Sequence, residues 1–438
     1  MSIEVITILL FGSFLLLMAA GLPLVFSLGS AAIIGTYFLW GPEALYALGI
    51  KTFSTATSFV LLAIPMFIFM GSMLERSGLA HDLYDMMKKW FGGINGGLAV
   101  GTVLVCTIFA ALVGVSGAAT VTMGLVALPS MLAAKYSKGL SIGCIAGGGA
   151  LGVLIPPSVL MIVLGLYANV SVGMLFMGGI TAGLVIVVLF ILYILIACWI
   201  WPEMGPALPV VERATWPEKF AALKAVILPI MLVALVLGTI VGGVATPSEA
   251  AGIGAAGAML CALAYGKLTW TAVKESSLIT LRLTCMVMWI VFAASMFTAL
   301  YAAVGADQLV RDALSYIPGG KWGTILGMQI IWIIMGCFLD PIGIMLLTVP
   351  LFFPIVVQLG FDPVWFGVLF VVNMEMAFLT PPFGFNLFYM RSVAPKGVTM
   401  LDIYKAVLPF IALQFVALIL MIIFPELITW LPYKMMGR

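Results

Sequence analysis

Apolar residues fill long stretches of this chain, and polar residues are confined to short segments between them. A helix that crosses a membrane needs about 20 consecutive apolar residues to span a hydrocarbon core of ~30 Å. By that criterion we predict an all-α polytopic membrane protein with about ten transmembrane helices. The predicted crossings are residues 6–20, 22–39, 59–74, 142–167, 174–199, 226–241, 250–264, 278–302, 365–390 and 407–428.

Two further apolar stretches are interrupted near their middle. Residues 98–134 are broken around Gly114, and residues 322–357 are broken around Asp340. A 15-residue arm on either side of a break covers roughly 22 Å, which is less than the ~30 Å of a bilayer core. We therefore predict two re-entrant helical hairpins, hairpin one and hairpin two, whose tips end inside the membrane.

Each hairpin is followed by an apolar helix that contains a proline pair. The pair at 156–157 interrupts residues 141–167, and the pair at 381–382 interrupts residues 365–390. Proline has no backbone N–H, so each pair leaves carbonyls of the preceding turn without helical partners. Within a bilayer such carbonyls are tolerated only where protein, water or an ion satisfies them. Paired broken helices in the two halves of a chain indicate a transport site.

The two halves of the chain show the same order of elements. A short amphipathic helix follows Gly78 in the first half and Gly305 in the second, and each precedes a hairpin. These arm helices are expected to lie at the membrane surface, in contact with lipid. The first half contains five crossings, so the second half starts on the opposite face and the repeat is inverted. The predicted parts are a first repeat at 1–201, a linker at 202–224, and a second repeat at 225–438 whose arm helix is 304–320.

Charge gives the orientation and excludes one class of partner. Hydrophobic residues make up 64% of the chain and charged residues 8%, against roughly 25% charged residues in soluble domains. The net charge is only +2 and the basic residues form no patch, so no nucleic acid is expected as a partner. Of the 19 Lys and Arg residues, 14 fall on one predicted face. The positive-inside rule makes that face cytoplasmic, so both termini are predicted to be periplasmic and the linker cytoplasmic.

The tip of hairpin one offers neutral oxygen atoms. Gly114 allows a tight turn that presents carbonyls, and Ser116 adds a hydroxyl. The first broken helix, its expected neighbour, contributes the freed carbonyl of Gly152 and the hydroxyl of Ser158. Five or six neutral oxygens suit Na⁺, which is a hard cation that needs no soft ligand. Close helix packing at the small residues Gly114, Ser116 and Gly117 is the structural alternative.

The tip of hairpin two offers a charge. Asp340 would lie beside the freed carbonyl of Ala377 and the hydroxyl of Thr380, and an ionisable residue at this depth is functional by default. Capping of a hairpin helix is the structural alternative. Helix N-termini beyond the breaks favour a carboxylate. Because the tips and breaks carry no Lys or Arg, an organic anion would rely on N–H groups, hydroxyls, Asn386 and bound sodium.

Other functional classes are less consistent with these residues. Ser116 has no histidine or lysine within the membrane to act as a base, so a serine hydrolase or intramembrane protease is excluded and no enzyme is predicted. Asn373 and Glu375, about a turn before the second break, are open to two interpretations, a bracing contact or part of the site. A channel or scaffold is the alternative class, and it predicts flux without sodium dependence or no flux.

Three motifs resemble signatures of one transporter family. They are GGVATPSEAA at 242–251, GVLIPPS at 152–158 and NMEMAFLTPPFGFNL at 373–387. The chain is similar along essentially its whole length to the large membrane (M) subunit of tripartite ATP-independent periplasmic (TRAP) transporters. The resemblance implies an inverted-repeat, sodium-coupled elevator transporter of the bacterial inner membrane that takes up an organic acid such as a dicarboxylate. It also implies two partners, a small four-helix membrane subunit of the Q type and a periplasmic substrate-binding protein.

The resemblance further implies which residues bind. It places the substrate at Asn386, while the residues themselves add the hydroxyls of Ser116, Ser158 and Thr380. A self-sufficient Na⁺/dicarboxylate symporter of related inverted-repeat design is the alternative within transport. The implied sodium ligands are Ser116, Gly152, Ile155 and Pro157 in a first site, to which the tip adds Gly114, and Asp340, Ala377, Thr380 and Pro382 in a second.

Overall fold

The computed structural model describes residues 2–114 and 116–435, and within these ranges every regular element is a helix. The predicted all-α class is therefore confirmed. The helices of the first half are α1 (Ile3–Ala19), α2 (Leu24–Trp40), α3 (Leu45–Ala56), α4 (Ala63–Arg76), α5 (Leu79–Phe91), α6 (Gly97–Val113), α7 (Ser116–Ala133), α8 (Lys138–Ala150), α9 (Val159–Ala168) and α10 (Val172–Ile200).

The second half follows the same plan after a short helix in the linker. Its helices are α11 (Trp216–Ala222), α12 (Lys224–Val241), α13 (Pro247–Ala264), α14 (Trp270–Ala303), α15 (Ala306–Ser315), α16 (Gly320–Gly336), α17 (Pro341–Gln358), α18 (Pro363–Ala377), α19 (Phe385–Val393), α20 (Met400–Ile423) and α21 (Glu426–Met435).

Within the described ranges, seven helical segments are long and apolar enough to cross a membrane, or eight if the bent pair α11 and α12 forms one span. Five of the seven, together with the bent pair, are predicted crossings. The other four predicted crossings are shorter apolar helices, namely α1, α2 and the broken pairs α8–α9 and α18–α19. The remaining two of the seven, α7 and α17, are 18-residue second arms of the predicted hairpins. Length alone therefore allows these arms to span, and their re-entrant path stays a prediction.

Some boundaries differ from those predicted, and proline explains two of them. The last crossing was predicted at 407–428, but α20 ends before Pro425 and α21 is a separate helix. The second arm helix was predicted at 304–320, but α15 ends at Ser315, shortly before Pro318. Proline disfavours helical backbone in the residue before it, so each helix stops early. Helix α3 was not predicted, because its 12 residues are too few for a crossing.

The predicted interruptions occur where the sequence placed them. Helix α6 ends immediately before Gly114, and α17 begins immediately after Asp340. The first broken helix is interrupted between α8 and α9, and the second between α18 and α19. The peptide bond within each proline pair is cis. Both halves therefore contain a hairpin-like pair of helices followed by an interrupted helix.

Helices α4 and α14 are equivalent in the two halves, since each is followed by an arm helix. They run antiparallel, because Arg76 at the end of α4 forms an ion pair with Glu275 near the start of α14. One turn away, the hydroxyl of Ser276 contacts the sulfur of Met73 at 3.8 Å. Antiparallel packing of equivalent helices agrees with the predicted inversion of the repeat.

The linker packs against α5 and the segment between α5 and α6. The Trp90 indole N–H donates to the Lys219 carbonyl at 3.0 Å, and its ring lies edge-on to Trp216 and Phe220. The Gly96 N–H donates to the carbonyl of Gly205 at 2.7 Å. The linker is therefore held against the arm helix α5 rather than extending freely. The division of the chain into parts at 202–224 stays a prediction.

Candidate functional site

Both hairpin tips and both helix breaks meet at one cavity of about 160 Å³. Helices α4 and α14 form its remaining wall. Residues that lie far apart in the sequence thus surround a single space, as the paired-break pattern predicts. The lining residues are Ile68, Gly114, Ser116, Gly117, Val153, Val159, Leu160, Leu283, Met286, Val287, Asp340, Pro341, Ile342, Phe378, Phe385 and Tyr389.

The tip of hairpin one lies directly against the first break. Gly114 has a φ of +65°, and a Cβ atom added there would lie 2.3 Å from the carbonyl oxygen of Pro157. Only glycine permits both this left-handed backbone and this close approach. Ser116 is 1% exposed and lines the cavity. The structure thus brings the Pro157 carbonyl to the tip residue that the sequence singled out.

Ser158 connects the two sides of the first break. Its hydroxyl donates to the Val153 carbonyl at 2.5 Å and accepts from the Met161 N–H at 3.4 Å, so it caps helix α9. The Ser158 hydroxyl was predicted to contact substrate, but both of these bonds are internal to the break. The Gly152 carbonyl lacks its usual helical donor. The residue four positions further on is Pro156, which has no N–H.

Asp340 occupies the tip of hairpin two and caps helix α17. Its Oδ2 atom accepts from the N–H groups of Ile342 and Gly343, both at 3.1 Å. Proline at the first helical position and a preceding aspartate are a favourable helix start. The capping alternative is therefore observed, and Asp340 also lines the cavity. Because capping uses only one carboxylate oxygen, the two roles are compatible.

The carbonyls at the second break are more fully used than predicted. The Ala377 carbonyl, predicted to be free, accepts from the Thr380 N–H at 3.2 Å. The Thr380 hydroxyl donates to the Met376 carbonyl at 2.8 Å. The Phe378 carbonyl accepts from the Asn386 N–H at 3.1 Å. A carbonyl oxygen has a second lone pair, so Ala377 keeps some acceptor capacity.

Eight of the eleven predicted binding residues are not among the cavity's lining residues, namely Gly152, Ile155, Pro157, Ser158, Ala377, Thr380, Pro382 and Asn386. Asn386 is fully buried, and its Nδ2 donates to the Ala146 carbonyl at 3.2 Å. The structure therefore places this amide between the two broken helices. The contact ties the second break to α8.

Asn373 and Glu375 make the bracing contacts that were one of their two interpretations. Asn373 Nδ2 donates to Gln329 Oε1 at 3.1 Å, which links α18 to hairpin two. Gln414 Nε2 donates to Glu375 Oε1 at 2.9 Å, which links α18 to α20. All four side chains are buried. The two pairs hold α18 from both sides just before the second break.

The sequence did not predict the apolar wall of the cavity. Leu283, Met286 and Val287 face it from α14, and Phe385 and Tyr389 face it from α19. Spacings of three and four residues place such side chains on one face of a helix, so a signal was present. It was hidden because almost every residue of a membrane helix is apolar.

The fold and cavity define a multi-pass helical transporter with paired interrupted helices. The family described as the tripartite ATP-independent periplasmic transporter, DctM component, matches residues 11–427. The chain therefore belongs to this family of large transporter permeases, and the resemblance of the motifs is confirmed. The family is one of transporters rather than enzymes.

Two curated relatives belong to this family, and one solved structure shares the fold. The C4-dicarboxylate TRAP transporter large permease protein DctM of Vibrio cholerae is 33% identical over 100% of this chain and 99% of its own length. The isethionate TRAP transporter permease protein DctMQ of Oleidesulfovibrio alaskensis is 31% identical over 94% of this chain and 64% of its own length. The fold is similar to that of the Alcanivorax borkumensis YdaH transporter, with a TM-score of 0.62, 16% identity and 90% coverage of both chains.

Proposed function

We propose that this permease drives the uptake of an organic anion across the inner membrane by coupling it to sodium entry. The observation that carries the proposal is the single cavity that both tips and both breaks line. Helix C-termini attract a cation there and helix N-termini attract an anion, so one cavity can hold both ions. Binding sodium beside a carboxylate lowers the cost of desolvating either charge.

The first ion site would use the Ser116 hydroxyl with the backbone oxygens of Gly152, Ile155 and Pro157. Its support is the close approach of the Pro157 carbonyl to Gly114. The second site would use Asp340 with oxygens of Ala377, Thr380 and Pro382. Its support is the position of Asp340 on the cavity wall.

The cavity lies at unequal distances from the ends of the two equivalent helices α4 and α14. On α4, the lining residue Ile68 is eight residues from the end at Arg76, roughly 12 Å. On α14, the lining residue Val287 is 16 residues from the equivalent end at Ala303, roughly 24 Å. With the predicted orientation, the site is displaced towards the cytoplasm.

An inverted repeat has a second state in which these two distances are exchanged. We therefore expect the tips and broken helices to move by about 12 Å relative to α4 and α14. In the observed state the Thr122 hydroxyl on α7, the second arm of hairpin one, donates a hydrogen bond to Glu75 Oε1 on α4 at 2.6 Å. This contact would have to break as the site moves outwards. The movement is an elevator mechanism.

Two partners are part of the proposal, a small four-helix membrane subunit and a periplasmic substrate-binding protein. The support is the word tripartite in the family description. A second support is the isethionate relative, whose name combines M and Q and whose length exceeds this chain. These observations favour a three-component system over the self-sufficient symporter.

The test is organic-anion uptake into proteoliposomes that contain the chain and the small subunit, with the binding protein outside. We expect accumulation only when sodium is higher outside than inside. Equal accumulation from a proton or potassium gradient, with no effect of sodium, would refute the proposed sodium coupling.

A further inference from the structure

The cavity is strongly apolar for a site that binds an organic acid. Of its 16 described lining residues, 11 have apolar side chains and none is Lys, Arg or His. The polar side chains are Ser116, Asp340 and Tyr389. A ligand that fills this space therefore contacts mostly hydrocarbon and aromatic surface.

The two tips differ in what they offer to an anion. At hairpin two, Asp340 accepts from the N–H groups of Ile342 and Gly343, so the helix end is occupied by a protein carboxylate. At hairpin one, α7 has no acidic residue in its first turn. Ser116 begins that helix, is 1% exposed, and its hydroxyl makes no hydrogen bond within residues 2–114 and 116–435. Of the two tips, that of hairpin one is therefore the one suited to receive a carboxylate.

A second carboxylate on the same ligand would have no suitable partner. It would face either Asp340, whose charge already balances the sodium ion of the proposed second site, or the α14 wall formed by Leu283, Met286 and Val287. Burying an unpaired carboxylate against apolar surface costs several kcal/mol. A hydrocarbon or aromatic group in the same position gains free energy instead.

The volume indicates the size of that group. An apolar cavity of about 150 Å³ accommodates benzene, and this cavity measures about 160 Å³. We infer that the substrate is a monocarboxylate with an apolar body about the size of a benzene ring, rather than a compact dicarboxylate. The inference rests on the proposed function, because it takes this cavity as the substrate site.

The test compares benzoate with succinate as probes of the purified full-length chain in lipid nanodiscs. Binding is measured by calorimetry with and without sodium. In sodium, we expect benzoate to bind at least about tenfold more tightly than succinate, because succinate buries one unpaired charge. Equal or tighter binding of succinate, or no binding of benzoate, overturns the inference.

The effect of sodium without a probe distinguishes failure of this inference from failure of the proposed function. A sodium-dependent rise in thermal stability without either probe shows that the ion sites exist, whatever the probes do. If sodium stabilises the chain and succinate is preferred, only the substrate inference fails. If sodium has no effect on stability or on probe binding, the proposed sodium coupling itself fails.

A matched pair of variants tests the α14 wall. Leu283→Arg introduces a cation on the cavity wall, while Leu281→Arg places the same charge on the same helix at a residue that is 59% exposed and outside the cavity. We expect Leu283→Arg to shift the affinity ratio towards succinate by about tenfold, the value of one charge-assisted hydrogen bond. Leu281→Arg should leave the ratio unchanged. If Leu283→Arg does not fold, Met286→Lys applies the same test, and an unchanged ratio overturns the inference.

Discussion

The close approach of Gly114 to Pro157 allows a quantitative test of the first ion site. Gly114→Ala would place a methyl group 2.3 Å from the Pro157 carbonyl oxygen, at a φ of +65°. The left-handed backbone costs an alanine roughly 1–2 kcal/mol. Relief of the overlap requires the carbonyl to move by about 1 Å, whereas metal–ligand distances vary by only about 0.2 Å.

We therefore expect the sodium concentration for half-maximal uptake to rise at least about tenfold in Gly114→Ala, which corresponds to about 1.4 kcal/mol. The assay is initial uptake rate against external sodium in proteoliposomes. Gly139→Ala is the matched control, because a Cβ there meets nothing within 4 Å and the residue is helical. A Gly114→Ala protein with the sodium dependence of the unmodified chain would refute the assignment of Pro157 to the site.

Three further predictions follow from the geometry of the tips, the interface and the linker. Asp340→Asn should keep the cap of α17, since asparagine caps helices as well as aspartate does, but it should lose sodium-driven uptake. Retained uptake with normal sodium dependence would show that Asp340 only caps the helix. Cysteines at Glu75 and Thr122, joined by Hg²⁺ in a background without other cysteines, should stop uptake reversibly, whereas continued uptake after complete cross-linking would show that this contact does not break. Trp90→Ala should weaken the packing of the linker on α5 by about 2 kcal/mol. We expect faster protease cleavage within 202–224 in inside-out vesicles, and unchanged cleavage would contradict the described packing.

The interruptions were predictable from the sequence because they depend on local chemistry. Gly114 permits a left-handed turn, and each proline pair removes N–H donors from its own helix, whatever surrounds it. The positions of α3 and α21 were harder to predict from the sequence, because short amphipathic helices leave a weaker pattern than a 20-residue span. Pro425 could have marked the end of α20.

The cavity could be predicted only in part. The tips and breaks were identified, but the apolar wall from α14 depends on tertiary packing. The bond from the Thr380 N–H to the Ala377 carbonyl is a local turn that the proline pair did not reveal. Asn386 illustrates the same limit. Its sequence position beside the second break does not reveal that its side-chain amide donates to the Ala146 carbonyl. Which backbone groups remain free at a break is decided by neighbours that local sequence does not specify.

The central claim is that one site, built from both tips and both breaks, opens alternately to the two sides of the membrane. Leu160→Cys in a background without other cysteines places one reactive thiol on the cavity wall, at a residue that is not a proposed ligand. We predict that a membrane-impermeant thiol reagent modifies it from either side, and that sodium together with substrate slows both reactions. Modification from one side only, under every combination of sodium and substrate, would contradict the account.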